Sequence, residues 1–223
     1  MGHGDEWGCF GVGTADCMSS VLTKQRLKVA TRTTLTFAVG LLGGLLSPMH
    51  AQQIGLTCNP EQSSANWTLS DPLHTVKGDF KLKSCHMKYH MNSRLAQGEI
   101  VFDATSGHSG NTSRDHKMHK DVLESGKYPE IRFRLDRVEG SLASQGPSTL
   151  QAHGMFGIHG AEHEMTIPVE LNLQTNEWTA TAKFPVPYVK WGMKNPSLLF
   201  IHVGDTVDID FRGAGSLARE AGK

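Results

Sequence analysis

Apolar and polar residues alternate along most of the chain after residue 70. The alternation is clear in five segments, where apolar side chains recur mostly at every second position: 76–82, 85–91, 96–103, 130–138 and 177–186. Such a period of two is typical of antiparallel strands that bury one face and expose the other. Together with two hairpins, the pattern predicts an all-β domain of about nine strand segments, spaced as in a sandwich or a barrel.

The end of the chain, residues 199–211, predicts a hairpin around a three-residue loop. This loop sets Ile201 opposite Ile209, whereas a two-residue loop would set Ile201 against Asp208. The apolar pattern therefore favours the longer loop, because a shift by one residue exchanges the two faces of a strand. His202 then lies opposite Asp208 as an ordinary cross-strand pair.

Residues 149–173 predict a second hairpin. A two-residue loop at 160–161 would pair Ile158 with His163, and a glycine at the first loop position suits a type II′ turn. Pro168 falls on the polar face of this hairpin. Because proline lacks a backbone N–H, its position indicates a sheet edge or a bulge.

Residues 111–124 break the alternation and predict one short helix that crosses from one strand to the next. Asn111 caps its start, and Met118 and Val122 recur at helical spacing. Gly126 follows as a stop signal, so the helix is expected to end close to it.

The beginning of the chain predicts a secretory signal peptide. A run of four basic residues precedes a twelve-residue apolar block at 35–46, and Ala51 follows as the small residue near which cleavage is expected. The block is too short for a membrane span, which needs about 20 apolar residues. Residues 1–17 fit no part of a signal peptide, so Met18 is a candidate start of translation.

The predicted organisation is a signal region at 1–51, a flexible leader at 52–66, a β-domain at 67–213 and a tail at 214–223. The mature region contains two cysteines, Cys58 and Cys85. An oxidising compartment outside the cytoplasm permits a disulfide between them. Two unpaired thiols fit equally well, because Cys58 lies in the predicted leader.

Charge and motifs exclude several classes of function. The chain has 22 Lys+Arg and 22 Asp+Glu, and the lack of a basic excess argues against a nucleic-acid-binding protein. The mature region has no Gly-x-Ser-x-Gly motif, no phosphate-binding glycine loop and no paired-carboxylate signature. We therefore predict a binding protein without catalysis, cofactor or metal, and leave open whether it forms a homodimer.

The 12 histidines nevertheless suggest an alternative, a His-dependent metal-binding or hydrolase-like protein. Strand parity places three of them on the solvent side: His86, His90 and His202. His119 and His163 would converge if the predicted helix packs over the loop at 159–163. His116 shares the helix with His119, whereas His159 faces away from His163.

A series of short motifs runs through the predicted domain: Val76-Lys-Gly-Asp-Phe80, Gly98-Glu-Ile-Val-Phe-Asp103, Ser113-Arg-Asp-His-Lys-Met-His119, Tyr128-Pro-Glu-Ile-Arg-Phe133, His153-Gly-Met-Phe-Gly-Ile-His-Gly160, Ile167-Pro-Val169 and Val207-Asp-Ile-Asp-Phe211. The series resembles the YceI-like family over about residues 70–212. Its most specific part is Arg-Asp followed by Tyr-Pro-x-Ile-x-Phe.

The resemblance implies an elongated, lipocalin-like antiparallel barrel of about eight strands, located in the periplasm or secreted. It also implies a long apolar tunnel that holds a polyisoprenoid or another lipid chain. One departure concerns Asp71-Pro-Leu-His-Thr75, which runs almost directly into Gly78 where the family has a longer lead. We therefore expect a shorter first strand and a differently closed tunnel.

The predicted tunnel lining consists mainly of the inward-facing apolar positions: Met87, Tyr89, Ile100, Phe102, Phe133, Leu135, Phe156, Met165, Ile167, Trp178, Phe184, Tyr188 and Trp191. Tyr188 and Trp191, with Lys190 and Lys194, are candidates for a tunnel mouth that attracts a phosphate or quinone head group. An alternative for these four residues is a long surface loop with one anchored aromatic side chain. An alternative for the inward-facing positions is a solid core of packed side chains without a tunnel. An exported protein that acts through an exposed sheet face is a third possibility.

Overall fold

The computed structural model describes residues 52–70, 74–197 and 203–221. They form nine strands: β1 Gln52–Cys58, β2 Ser64–Ser70, β3 Thr75–His90, β4 Leu95–His108, β5 Glu130–Gly140, β6 Gly146–Ile158, β7 Ala161–Leu173, β8 Glu177–Val186 and β9 Val207–Ala221. The predicted signal region at 1–51 lies outside the described residues. The all-β prediction is confirmed.

All the strand pairs are antiparallel, and they close into a barrel. The strands β3 to β9 pair in chain order except across the gap between β9 and β3, which β1 and β2 fill end to end. Gln53 in β1 pairs with His90, and Ala65 in β2 pairs with Phe80, so both strands lie along β3. A short 3₁₀ turn at Pro60–Gln62 joins them. The ring therefore has eight positions, as the resemblance implied.

The predicted flexible leader at 52–66 is wrong, because it forms β1 and the start of β2. Its inward side chains Ile54 and Leu56 are buried at 2% and 7% exposure. The expected shorter first strand is also wrong, since β3 has 16 residues and follows this earlier strand pair. The polar residues between and after these positions, such as Gln53, Gln62 and Ser64, are not buried, so the polar composition of the segment concealed the alternation.

The predicted tail at 214–223 is likewise part of the barrel as far as Ala221, in β9. Gly215, an inward position of this segment, and Gly213 just before it carry no apolar side chain to reveal a period of two. Leu217 continues the inward face and is buried at 6% exposure. Small residues therefore explain why the sequence pattern ended too early.

The segments 76–82 and 85–91, predicted as separate strands, form the single strand β3. Its pairing with β4 shifts between Leu82 and Ser84, which is the mark of a β-bulge. One extra residue exchanges inward and outward positions, so the apolar phase changes near Cys85 without the strand ending.

The predicted hairpin over 199–211 is wrong. Residues 198–202 lie outside the described residues, and Ile209 pairs with Trp67 in β2 and Phe184 in β8. Asp208 correspondingly lies opposite Thr68 and Pro185, so it is not the partner of His202. Alternation determines which face a side chain occupies, and it does not choose between neighbouring and distant partners.

The β6–β7 hairpin exists, but its predicted register is two residues off. Ile158 pairs with Ala161, so the loop consists of His159 and Gly160. Both have positive φ, 53° and 77°, as a type I′ turn requires. The ring of Tyr128 lies 2.3 Å from where a Cβ on Gly160 would be, so a side chain there is also excluded by contact. A shift by two residues preserves the faces, and parity could not detect it.

The predicted crossover helix is confirmed. The helix α1, Thr112–Lys117, continues into one turn of π-helix at Met118–Val122. Asn111 accepts a hydrogen bond at its Oδ1 from the backbone N–H of Arg114, at 3.0 Å, as an N-cap. The strands β3, β5, β7 and β9 begin at the end of the barrel where α1 lies, and we call it the helix end. The opposite end, marked by the turn at 91–94, is the turn end.

Cys58 and Cys85 form a disulfide, with their Cα atoms 5.3 Å apart. The bond ties β1 to β3, and both cysteines are buried. This decides the alternative that the sequence left open. It also explains why the segment before the resembling region folds with the barrel.

Candidate ligand-binding cavity

The barrel encloses a cavity of about 310 Å³. Its lining includes Val76 and Tyr89, which lie near opposite ends of the strand β3. Thirteen residues separate these positions, about 40 Å of strand path at roughly 3.3 Å per residue. Because this volume is spread along so long a wall, the cavity must be narrow. Its shape suits an extended chain better than a compact ligand.

Small residues at inward positions leave room for the cavity. Alanines of four strands border it, namely Ala65, Ala96, Ala152, Ala180 and Ala182. Each is buried, with an exposure between 2% and 9%. A solid core would need larger side chains at these positions to reach normal packing density. The alternative of a barrel filled entirely by side chains is therefore wrong.

Eleven of the thirteen predicted lining residues border the cavity: Met87, Tyr89, Ile100, Phe102, Phe133, Leu135, Phe156, Ile167, Trp178, Phe184 and Tyr188. Met165 and Trp191 do not. Met165 packs beside Phe184 in the wall, and Trp191 contacts the rings of His163 and Phe156. Whether the eleven residues contact a ligand stays a prediction.

The sequence reasoning missed the part of the lining that comes from β1 and β2. Ile54, Leu56, Trp67 and Leu69 border the cavity and supply much of the wall between β3 and β9. The signal was available as the alternation of Ile54 with Leu56 and of Ala65 with Trp67 and Leu69.

Polar atoms contribute almost nothing to the cavity surface. Tyr188 is buried at 5% exposure, and its hydroxyl donates to the carbonyl oxygen of Gly204 at 2.8 Å. Burial and, to a lesser extent, the negative charge of Asp205 raise the pKa of Tyr188 to about 12. The indole Nε1 of Trp67 is buried without a hydrogen-bond partner among the described residues. A ligand with an acceptor at that depth would satisfy this donor.

Four charged residues also border the cavity: Lys88, Glu99, Arg114 and Arg132. Arg132 and Glu99 approach to 3.7 Å, so their charges compensate each other. Arg114 lies at the helix end, where its guanidinium donates to the hydroxyl and carbonyl oxygens of Ser109. These four charged side chains therefore lie beside the cavity, and its interior surface stays apolar.

The predicted tunnel mouth forms only in part. Tyr188 borders the cavity, but its hydroxyl is used within the protein. Lys190 and Lys194 are exposed and do not border the cavity. Trp191 packs outside the lining layer. The prediction that these four residues attract a head group at the mouth is therefore wrong as a set.

The histidines within the described ranges do not assemble a metal centre. Both ring nitrogens of His119 are engaged, Nδ1 with the hydroxyl of Ser125 at 3.0 Å and Nε2 with the carbonyl oxygen of Gly107 at 2.8 Å. His163 is stacked on Trp191, and burial lowers the pKa of its imidazole. Among the residues the structure describes, no group of three His, Cys, Asp or Glu side chains is placed to hold a metal ion.

Four other predicted or candidate histidines have ordinary surroundings. His86 and His116 are exposed and His90 is half-buried. His159 lies 3.6 Å from the carboxylate of Glu124 and against the ring of Tyr128.

In the described part of the chain, no helix is long and apolar enough to cross a membrane.

Comparisons with known proteins agree on one family and one fold. The family model of the YceI-like domain matches residues 56–214. BcnA of Burkholderia cenocepacia has a similar structure, with a TM-score of 0.61, 17% identity, and coverage of 71% of this chain and 99% of that chain. No curated protein matches the chain.

Two further solved structures are similar. A polyisoprenoid-binding domain from Saccharophagus degradans has a TM-score of 0.57 and 13% identity, over 77% of this chain and 99% of that chain. The YceI protein of Campylobacter jejuni has a TM-score of 0.53 and 15% identity, over 66% of this chain and 88% of that chain. At these identities the similarity establishes the barrel fold.

Proposed function

The chain belongs to the YceI-like family, and from the cavity in its barrel we propose that it is an exported protein that binds an apolar chain. The ligand is a polyisoprenoid, a quinone or another long-chain lipid, held along the inside of the barrel. The protein carries or sequesters this ligand and performs no chemistry on it.

The observation that carries the proposal is the narrow apolar cavity of about 310 Å³. This volume is at the lower end of the range of about 300–1,000 Å³ found for small-molecule sites. Each buried CH₂ group of a chain contributes about 0.8 kcal/mol, so affinity needs little polar recognition. The similar fold of the Saccharophagus degradans polyisoprenoid-binding domain supports the same class of ligand.

A carrier role without catalysis is supported by the composition of the lining. Among the described residues that border the cavity, none is a serine, threonine, cysteine, histidine or aspartate. A hydrolytic site needs a nucleophile and a base within hydrogen-bond distance of each other. The lining supplies no such pair.

Export is supported by two features of the chain. The start of the sequence has the basic, apolar and small-residue parts of a signal peptide. The disulfide between Cys58 and Cys85 belongs to an oxidising compartment such as the periplasm.

The test is to purify the protein without detergent from a bacterial periplasm and to identify co-purified lipid by native mass spectrometry and organic extraction. We expect one long-chain lipid per chain, released by unfolding. A protein that is extracted empty, and that binds neither cis-parinaric acid nor a polyprenyl alcohol, would contradict the proposal. Probe binding should also show a negative heat-capacity change, because apolar surface is buried.

A further inference from the structure

The wall of the barrel contains a seam where two neighbouring strands are not hydrogen-bonded. The strands β7 and β8 pair only from Val169 with Ala182 to Leu173 with Trp178. Towards the helix end, residues 161–168 of β7 pair with β6 alone, and residues 183–186 of β8 pair with β9 alone. We call the gap between these two half-strands the seam.

Two prolines explain why the ladder stops. If the register continued, Pro168 would lie opposite Lys183, and Pro185 would lie opposite Thr166. Proline has no backbone N–H to donate and is tolerated in sheets chiefly at edges. One proline on each of the facing half-strands therefore keeps the seam open as a property of the sequence.

Side chains close the seam. The rings of Phe156 and Phe184 meet edge to face at 6.1 Å, although they belong to β6 and β8 and β7 runs between these strands. Phe156, Phe184 and Ile167 all border the cavity. Met165 packs with them and does not border the cavity. At the seam, the wall of the cavity is a layer of packed inward side chains and not a hydrogen-bonded sheet, and His163 shares the inward parity of Met165 and Ile167.

Trp191 covers this layer. Its indole stacks on the imidazole of His163, with ring centres 4.1 Å apart and planes 3° from parallel, and lies 5.7 Å from the ring of Phe156. Trp191 comes from the segment that follows β8, whose base is tied to residues before β9. The hydroxyl of Tyr188 donates to the carbonyl oxygen of Gly204, and the backbone N–H of Val189 donates to the carbonyl oxygen of Asp205.

The stack leaves a polar atom unsatisfied. The Nε2 of His163 is buried without a hydrogen-bond partner in the described part of the chain. An unpaired buried polar group costs free energy, and displacement of Trp191 would expose it to water. Burying the Nε2 of His163 therefore destabilises the closed seam, and moving Trp191 away removes this free-energy cost. Opening at the seam needs side-chain rotation and movement of one loop, whereas opening between strands with a continuous ladder would break ladder hydrogen bonds.

We propose that the seam is the portal through which an apolar chain enters and leaves the cavity, and that Trp191 is its plug. This inference rests on the proposed function, because it assumes that the cavity takes a ligand. It assigns Trp191 a role in the rates of exchange and not in affinity, since Trp191 does not border the cavity.

A cross-link across the seam tests the portal. Thr166→Cys and Lys183→Cys place two exposed thiols on the facing half-strands, two residues from directly opposite positions if the register continued, and a short bis-maleimide can join them. The matched control joins the same two strands where they are hydrogen-bonded, through Glu170→Cys and Thr181→Cys, which pair directly and are also exposed. Loading and release of cis-parinaric acid are followed by stopped-flow fluorescence.

We expect the seam cross-link to slow both rates by about ten-fold or more, and the control to leave them within about two-fold. The dissociation constant should stay within about two-fold in both, since a gate changes rates and not the bound state. Unchanged rates with the seam cross-linked would overturn the portal. Absence of probe binding in every variant, the wild type included, would instead contradict the proposed function.

Trp191→Ala provides the second measurement and needs no cross-link. It should speed release of the probe by about ten-fold with a small change in affinity, whereas Trp191→Phe should lie between it and the wild type. Lys190→Ala, at the exposed neighbouring position, is the control and should leave the rates unchanged. Release as slow in Trp191→Ala as in the wild type would show that Trp191 does not gate the exchange.

Discussion

The indole of Trp178 lies directly over Gly213 of the neighbouring strand. A Cβ on Gly213 would come within 3.0 Å of Cη2 of Trp178 and within 2.8 Å of the ring of Phe211. Trp178 is 1% exposed, and it borders the cavity. Gly213 therefore leaves room for the indole of Trp178, because a side chain at position 213 would press against this ring.

Replacing Gly213 is predicted to destabilise the barrel. Gly213→Val should lower the free energy of unfolding by about 1–3 kcal/mol, the usual cost of overpacking a core. Urea denaturation measures the change. Ser216→Val is the control, because Ser216 is exposed on the same strand. A Gly213→Val protein as stable as the control would show that Trp178 has another position available.

Loss of the disulfide is predicted to destabilise the protein strongly. The bond closes a separation of 27 residues, and the loop-entropy relation gives a stabilisation of about 3.5 kcal/mol for a loop of this size. The double variant Cys58→Ala/Cys85→Ala should unfold at correspondingly lower denaturant. Adding dithiothreitol should destabilise the wild type and leave the double variant unaffected. A reductant effect on both proteins would point to a different cause.

Filling the cavity is predicted to weaken ligand binding while keeping the fold. Ala152 borders the cavity and is 9% exposed, so Ala152→Phe should occupy space meant for the chain. The affinity for cis-parinaric acid should fall by about ten-fold or more, since the buried chain loses contact area. Gln151→Phe is the matched control because Gln151 is exposed on the same strand. Equal affinity in both variants would place the ligand elsewhere.

The hydroxyl of Tyr188 is predicted to make stability depend on pH in the alkaline range. The folded protein holds this proton to a pKa of about 12, against about 10 for an unperturbed tyrosine. Between these values the native state binds more protons than the unfolded state, so stability is fully present below pH 10 and falls as pH rises towards 12.

Tyr188→Phe isolates this contribution. At neutral pH the variant should be less stable by about 1 kcal/mol, because the hydrogen bond to Gly204 is lost. The difference from the wild type should shrink above pH 10 and reverse in sign before pH 12, because two pKa units correspond to about 2.7 kcal/mol. Urea denaturation at each pH measures it. Parallel curves for the two proteins over that range would contradict the assignment.

Much of the cavity wall could be predicted from residue parity. Phe102, Phe133 and Phe156 stand at inward positions of clear alternation, and all three border the cavity. Met165 and Trp191 could not be placed in the same way. Met165 has inward parity but lies in a half-strand that leaves the β8 ladder, and Trp191 follows the last regular position of its strand. Their positions depend on how distant segments pack.

The sequence by itself determined which face most of the strands bury, where the helix starts and that Pro168 marks a sheet edge or a bulge. These are properties of consecutive residues: a period of two, a capping side chain and a missing N–H. Only the tertiary structure decided that β9 pairs with β2 and β8, that β1 completes the ring and that alanines on different strands leave a shared cavity. The physical reason is that a shift by two residues preserves both faces, and that empty space is a sum over side chains far apart in the chain.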